Sequence, residues 1–155
     1  MAIRLITLGK LKEAYFRDAD AEYRKRLRPF AKLDIVELRE EPFSEKNSGE
    51  NIKKREAEKI QKHLSKNDFI AALDSHGKTC TSEEFAKYLS SWTSQHQTLT
   101  FLIGGPLGLD QTILKQANIT LSLSSLTFTH QFARIVLLEQ LYRAYMITAN
   151  RKYHY

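Results

Sequence analysis

Short apolar runs alternate along this chain with longer segments in which apolar residues recur every three or four positions. The apolar runs are typical of strands, and they lie at residues 2–8, 33–39, 69–74, 98–103 and 119–123. The intervening segments predict helices at residues 13–28, 50–64, 82–92, 111–116 and 130–150. Strands that alternate with helices favour an α/β fold, in which a parallel sheet carries helices on both faces.

The fourth apolar run ends in a glycine-rich turn. The run holds no charged residue, as expected of a strand buried on both faces, and it stops at Gly104-Gly105-Pro106, with Gly108 shortly after. Glycine tolerates positive φ and lets a ligand approach the backbone closely. Asp110 then has the character of a helix N-cap. A buried strand, a glycine turn and a helix start form the place where open α/β sheets bind ligands.

This turn does not match the common nucleotide-binding motifs. No Gly-Lys-Ser or Gly-Lys-Thr follows, which excludes a Walker A loop. The spacing is Gly-Gly-x-x-Gly, and no acidic residue lies between Asp110 and Glu139 to bind a ribose, so a conventional dinucleotide site is excluded as well. Many strand-to-helix turns contain glycine without binding anything, so the turn alone does not separate a ligand site from a simple bend.

Two further turns follow neighbouring apolar runs. Residues 74–78 predict a turn after the third strand, and residues 122–128 form a loop of small hydroxyl and apolar residues after the fifth. In a parallel sheet these two turns and the glycine turn would meet at one edge. Their backbone groups could then bind an adenine or a ribose without any charged side chain.

The length of 155 residues predicts a single domain, spanning residues 1–155, with a proper hydrophobic core. No apolar segment is long enough to cross a membrane, and the first residues predict a strand rather than a signal peptide. The single cysteine, Cys80, excludes an internal disulfide and is compatible with the cytoplasm, where we expect this protein. The histidines show no metal-ligand spacing, and we expect no metal.

The net charge of +6 permits a polyanionic partner. Basic residues are concentrated in the first predicted helix, above all at residues 24–28. These cations could contact phosphate. They could equally form the solvated face of a surface helix.

The last predicted helix is apolar on more than one side. One apolar seam contains Ile135, Leu138, Tyr142 and Tyr145, and other apolar residues cover much of the remaining circumference. A helix of this kind must be buried on most sides, and a second subunit is a natural cover. Glu139 and Arg143 have the spacing of an intrahelical ion pair.

Several segments together resemble one family. They are Gly9-Lys10-Leu11-Lys12-Glu13, Ile103-Gly104-Gly105-Pro106-Leu107-Gly108-Leu109, Leu121-Ser122-Leu123-Ser124-Ser125-Leu126-Thr127-Phe128, His130-Gln131, Arg134, Glu139-Gln140-Leu141-Tyr142-Arg143-Ala144 and Tyr153-His154. In combination they resemble the ribosomal large subunit methyltransferase H family, the YbeA-like SPOUT methyltransferases. The likeness spans the whole chain. The family has proline before the histidine, where this chain has Thr129, which permits an extended conformation without fixing φ.

The resemblance implies a C-terminal trefoil knot, a homodimer that forms through the C-terminal helix, and S-adenosylmethionine as cofactor. The cofactor-binding residues that it implies are Leu73, Gly104, Gly105, Gly108, Leu123, Ser124, Ser125, Leu126, Thr127 and Phe128. The implied reaction is methylation at N3 of a pseudouridine in 23S ribosomal RNA. Because one small domain has little surface for reading a base sequence, we expect the assembled ribosome as the substrate.

The resemblance also implies a catalytic group at the C-terminus. His154 and Arg143 are candidates for a base or for a stabiliser of the imide anion, Tyr153 would shape the site, and His130 would support the cofactor loop. Alternatively, His154 belongs to a frayed tail, and Arg143 serves only its pair with Glu139. Two other functions stay open at this point, a non-catalytic RNA-binding protein with a vestigial pocket and a small-molecule enzyme unrelated to RNA.

Overall fold

The fold is that of a computed structural model, which describes residues 2–151 and residue 153. The element order is β1 (Ala2–Leu8), α1 (Ala14–Leu27), β2 (Lys32–Leu38), α2 (Gly49–Gln61), β3 (Phe69–Lys78), α3 (Ser82–Gln95), β4 (Thr98–Ile103), α4 (Gln111–Gln116), β5 (Ile119–Leu121) and α5 (His130–Thr148). The strands form one five-stranded sheet in the order β2-β1-β4-β3-β5, and every neighbouring pair is parallel. The predicted α/β class and the alternation of elements are confirmed.

The two faces of the sheet carry separate hydrophobic layers. Successive side chains of a strand point to opposite faces, so Leu5 and Phe101 lie with α1, α3 and α5, whereas Ile6 and Leu102 lie with α2 and α4. These four side chains are 0–1% exposed. Helices therefore cover both faces, as predicted. None of the helices within the described part of the chain is long and apolar enough to cross a membrane.

The third strand is longer than predicted. Residues 74–78 were expected to form a turn, but β3 continues through them to Lys78, which pairs with Leu121 after an irregularity in register. The amide of Ser122 donates to the Lys78 carbonyl at 2.9 Å. A Cβ on Gly77 would lie only 2.6 Å from the backbone of Leu121. The glycine that suggested a turn instead permits two backbones to approach each other.

Helix boundaries follow the capping residues. Thr81 forms a full capping box with Glu84 at the start of α3, and Asp110 accepts from the amide of Thr112 at the start of α4. The N-cap at Asp110 agrees with the prediction, and Thr81 directly precedes residue 82, where the third helix was predicted to begin. Helix α1 is one residue shorter than predicted at each end, α2 ends three residues earlier, and α3 continues to Gln95. Strand β5 covers only three residues, because the chain leaves the sheet after Leu121.

The last helix lies on the sheet between α1 and α3. Leu137, Leu138 and Leu141 are 0% exposed within a single chain. The apolar circumference that suggested a second subunit is therefore covered largely by the sheet below and by a helix on each side. Phe132 is the exception among its large apolar side chains, with 44% exposure. The C-terminal knot that the resemblance implies stays a prediction.

A buried arginine fixes the first half of α5. The guanidinium of Arg134 donates to Asp20 of α1 at 2.9 Å and to Glu37 of β2 at 2.6 Å, and its side chain is 4% exposed. Asp20 is also 3.7 Å from Arg24, whose side chain is 48% exposed. The buried pairs join three elements that are far apart in sequence. Such a pair is costly to break, because the remaining partner is a buried charge.

We expect Arg134→Met to lower the free energy of unfolding by about 3 kcal/mol or more, because Asp20 would then lose its buried partner. The matched control is Arg24→Gln, which removes an exposed partner of the same carboxylate and should cost less than about 1 kcal/mol. Urea denaturation of the two variants and the parent measures both values. Equal losses of unfolding free energy in the two variants would contradict the conclusion that Arg134 is the buried partner that Asp20 requires.

Candidate functional site

A cleft opens at the carboxyl edge of the sheet, where the ends of β3 and β4 meet the segment that follows β5. It has a volume of about 300 Å³. Strands β4, β3 and β5 are consecutive neighbours, so their ends lie side by side. The residues that line the cleft are Leu73, Asp74, Ser75, His76, Ile103, Gly104, Gly105, Pro106, Leu107, Gly108, Ser122, Leu123, Ser124, Leu126, Thr127, Phe128, His130 and Ala133. The three segments predicted to meet at one edge do meet there, although the first of them is part of β3 and not a turn.

Nine of the ten residues expected to bind the cofactor line this cleft, and Ser125 does not. Ser125 is exposed at the tip of the loop, beyond a local turn in which the hydroxyl of Ser124 accepts from the amide of Leu126 at 3.0 Å. Ser75, His76, Pro106 and Ser122 also line the cleft, and they lie in the segments predicted to meet at this edge, although the resemblance did not name them as cofactor-binding residues. The sequence analysis missed Ala133, which no motif marks because it enters the cleft through the first turn of α5.

The glycines of the turn that follows β4 shape the turn itself. A Cβ on Gly104 would lie 2.7 Å from the backbone carbon of Gly108, and Gly108 has φ 79°. The amide of Gly108 donates to the carbonyl of Gly105 at 2.9 Å. Gly104 is therefore required because the loop folds back on its own backbone. The resulting surface presents main chain rather than side chains to the cleft.

The opposite wall begins at the N-terminus of α5. Thr129 caps this helix, and its hydroxyl accepts from the amide of Phe132 at 3.3 Å. Its φ is −63°, the value at which a proline ring would hold the backbone. The threonine therefore adopts the geometry of the proline in the family pattern and adds a side-chain cap. This fixes the start of the helix that places His130 and Ala133 in the wall.

His130 connects the cleft with the first loop of the chain. Its Nε2 lies 3.1 Å from Oε1 of Glu40, although the two atoms lack hydrogen-bond geometry. A Cβ on Gly9, which has φ 84°, would collide with both side chains. Next to it, the amide of Lys12 donates to Gln131 at 2.7 Å. His130 therefore lies against the segment around Gly9, and its expected support of the cofactor loop stays a prediction.

A titratable pair lies on the rim where β3 leaves the buried part of the sheet. Oδ1 of Asp74 accepts from the amide of His76 at 2.9 Å and lies 3.2 Å from its Nδ1. The side chain of Asp74 is 18% exposed and that of His76 is 94% exposed. The hydrogen bond from the His76 amide therefore fixes the carboxylate of Asp74, whereas the imidazole of His76 lies in solvent.

The candidate catalytic residues of the C-terminal half lie elsewhere. Arg143 donates to Glu139 at 2.7 and 3.0 Å, which confirms the predicted ion pair, and to the carbonyl of Tyr153 at 3.2 Å. Its guanidinium is 4.8 Å from the centre of the Tyr153 ring, which also packs edge-on against Tyr142. The hydrogen bond with Glu139 raises the pKa of Arg143 further. His154 lies outside the described residues.

Glu139, Arg143 and Tyr153 form a C-terminal cluster, and this cluster is remote from the cleft of its own chain. Arg143 is ten residues beyond Ala133 on the same helix. At the α-helical rise this is about 15 Å along the axis. The structure therefore does not bring Arg143 and Tyr153 to the cleft within one chain.

Comparisons with known proteins agree with this geometry. A family model described as "Predicted SPOUT methyltransferase" matches residues 1–154. A protein of Streptococcus equi subsp. zooepidemicus (strain MGCS10565) is 47% identical over 158 residues, and one of Bifidobacterium animalis subsp. lactis (strain AD011) is 46% identical over 158 residues, with 99% of both chains covered in each case. Both relatives bear the name "Ribosomal RNA large subunit methyltransferase H".

This chain belongs to the SPOUT methyltransferase family. Its fold is also similar to a solved structure of a probable methylase family protein from Haemophilus influenzae Rd KW20, with a TM-score of 0.56 and 14% sequence identity. That likeness covers 99% of this chain and 70% of the other. At this identity it supports the fold alone, whereas the family rests on the matched model and on the closer relatives.

An aromatic ridge crosses the surface next to the cleft of this methyltransferase. It consists of Tyr15, Phe16, Phe132 and Phe128, whose successive ring centres are 4.7, 6.2 and 5.3 Å apart. Tyr15 is 66% exposed, and Leu126 beside the cleft is 73% exposed. Contiguous apolar surface of this kind is typical of an interaction site.

The basic segment of α1 has partners of its own. Arg24 lies near Asp20, and Arg26 is 2.7 Å from Glu22 and stacks over Tyr23 and Tyr142. Lys25 and Arg28 are exposed. The segment is therefore partly neutralised, and its net attraction for phosphate is smaller than the sequence suggests. Within residues 2–151 and 153, no group of three or more His, Cys, Asp or Glu side chains could hold a metal ion.

We expect Gly104→Ala to lower the melting temperature by about 4–8 °C, because the new methyl group meets the Gly108 backbone and the strain costs about 2 kcal/mol. Gly105→Ala is the matched control, since the nearest atoms to its Cβ position are 3.5 Å away. Differential scanning calorimetry of both variants tests this difference. A melting temperature of Gly104→Ala equal to that of the control would show that the loop is not closed as described.

Proposed function

We propose that this protein transfers a methyl group from S-adenosylmethionine to large-subunit ribosomal RNA, at N3 of a pseudouridine. The observation that carries the proposal is the cleft of main-chain turns at the sheet edge, in a chain 46–47% identical over nearly its whole length to proteins named for this RNA. The assembled ribosome is the proposed substrate, which implies a cytoplasmic enzyme.

The cleft fits the cofactor by its shape and chemistry. Its wall combines apolar side chains, such as Leu73 and Phe128, with the main chain of Gly104 and Gly108. Such a surface can enclose an adenine and hydrogen-bond its edge through backbone groups. Residues 123–128, apart from Ser125, would form the second wall. Within this loop the hydroxyl of Ser122 donates to the carbonyl of Ser124 at 2.8 Å, so the loop has its shape before a ligand binds.

When bound, the cofactor supplies an electrophilic methyl group on a positively charged sulfur. The protein must align the target nitrogen with that methyl group and stabilise the imide as its N3 proton leaves. Arg143 suits the second role, because a guanidinium is always charged and cannot accept a proton. His154 is then the proposed proton acceptor, and Tyr153 would hold the target base. Glu139 orients Arg143 through its two hydrogen bonds.

A second copy of the chain would bring these residues to the cleft. Within one chain they are about 15 Å apart along α5. The aromatic ridge runs from Phe128 at the cleft across Phe132, which α5 exposes, to Tyr15 and Phe16 of α1. We propose that two copies pack through this ridge and α5, so that the C-terminal cluster of one copy faces the cleft of the other. The homodimer thus completes the site.

Two measurements on the purified protein test the function. Calorimetric titration with S-adenosylmethionine should show binding, and incubation with ribosomes from a strain that lacks the enzyme should yield a methylated pseudouridine by mass spectrometry of nucleosides. Free large subunits serve as the comparison substrate. Absence of cofactor binding at millimolar concentration would favour a non-catalytic RNA-binding protein, and methylation of a small molecule without RNA would favour an unrelated enzyme.

A mixing experiment tests the shared site. Gly108→Val should disable the cleft, because the new side chain would enter the space next to Asp74 and valine is strained at φ 79°. Arg143→Ala should remove the anion stabiliser, so each variant alone should be inactive. Random exchange of subunits gives half mixed dimers, each with one intact site, and we expect about a quarter of the parent activity.

Circular dichroism and size-exclusion chromatography must first show that both variants fold and dimerise. Activity of the mixture no higher than that of the separate variants would contradict a site built from two chains.

A further inference from the structure

The cleft carries a single charged side chain. Among the described residues that line it, Asp74 is the one carboxylate, and neither lysine nor arginine accompanies it. The chain as a whole has a net charge of +6. A cation that approaches this molecule is therefore repelled overall and attracted locally.

The carboxylate of Asp74 has a defined position. Its Oδ1 accepts from the amide of His76 at 2.9 Å. Its Oδ2 is directed across the cleft towards the glycine turn, since a Cβ on Gly108 would lie 4.0 Å from it. Gly108 has no side chain to fill that space. The charge of Asp74 is thus fixed next to an open part of the cleft.

Other acidic groups near the cleft have different neighbours. Glu56 lies behind Gly105, outside the lining, and accepts from the amide of Glu41 at 3.0 Å. Burial raises the pKa of Glu56. Glu40 lies against His130 and is also outside the lining. Asp74 is the acidic group with direct access to a ligand in the cleft.

We propose that Asp74 is the counter-charge for the sulfonium of the methyl donor, and that it makes the cleft prefer the charged donor to its demethylated product. This inference rests on the proposed function. In the reaction the bond between sulfur and the methyl carbon breaks and its electron pair stays on sulfur. The bond between N3 and that carbon forms, and the N3 proton goes to the base. The product sulfur is neutral.

Only a contact with the sulfonium separates donor from product. The ammonium and carboxylate groups of the amino-acid part are the same in both molecules. A sulfonium has no N–H or O–H donor, so backbone carbonyls cannot bind it by ordinary hydrogen bonds as they bind an ammonium. A fixed carboxylate in a partly enclosed cleft attracts it through charge alone. Loss of that attraction after transfer would assist release of the product.

The test measures dissociation constants of S-adenosylmethionine, S-adenosylhomocysteine and sinefungin by calorimetry on the full-length protein. Sinefungin carries a protonated amine in place of the S-methyl group. For Asp74→Asn, which keeps the oxygen that accepts from His76, we expect affinity for the two cations to fall about tenfold more than affinity for S-adenosylhomocysteine. Asp74→Glu keeps the charge and should retain most of the preference.

Asp110→Asn is the control for a change in overall charge. Asp110 is outside the lining, its pKa is lowered by its hydrogen bonds to Thr112, and asparagine caps helices equally well. We expect unchanged preference in this variant. Equal loss of all three ligands in Asp74→Asn, including complete loss, would overturn the inference and leave the proposed function intact. Failure of the parent protein to bind any of them would overturn both.

Discussion

The parallel pairing of β3 with β4 on one side and β5 on the other is the constraint on which the rest of the structure depends. Parallel neighbours end at the same edge of a sheet. The last part of β3, the turn after β4 and the loop after β5 therefore form one cleft, although they are far apart in sequence. The pairing has an irregularity after Leu73, where β3 leaves its first register and meets Leu121 again at Lys78. Residues 74–76 line the cleft because of this irregularity.

The fifth helix adds the remaining wall, and its position depends on a buried ion pair. Arg134 holds α5 against α1 and β2 one helical turn beyond His130. Thr129 fixes the start of the helix through its cap. Because both ends of this first turn are restrained, the wall at His130 and Ala133 needs little rearrangement when a ligand binds, which lowers the entropic cost of binding.

The charges of the molecule divide between its surface and its cleft. Exposed lysines and arginines give the net positive charge that a polyanionic partner favours. Several of the arginines on α1 are engaged with carboxylates or aromatic rings, so the attraction for RNA is spread over the surface rather than concentrated on one helix. The cleft has the opposite sign because of Asp74. This distribution of charge suits the proposed function, since the proposed methyl donor is a cation and the proposed acceptor is part of a polyanion.

Much of the fold follows from local patterns in the sequence. The apolar runs and the capping residues Thr81 and Asp110 place the elements to within a few residues, because burial and helix capping act over short distances. The sequence by itself also determined that Leu73, Gly104 and the loop at residues 123–128 lie at one edge of the sheet, since parallel strands share an edge. Tertiary structure alone decided that β3 continues past Asp74, that Gly104 serves its own loop, and that Ser125 does not line the cleft. It also decided that Arg143 lies far from the cleft of its own chain. These features depend on contacts between residues distant in sequence, such as Gly77 with Leu121 and Arg134 with Asp20, and no local periodicity encodes such contacts.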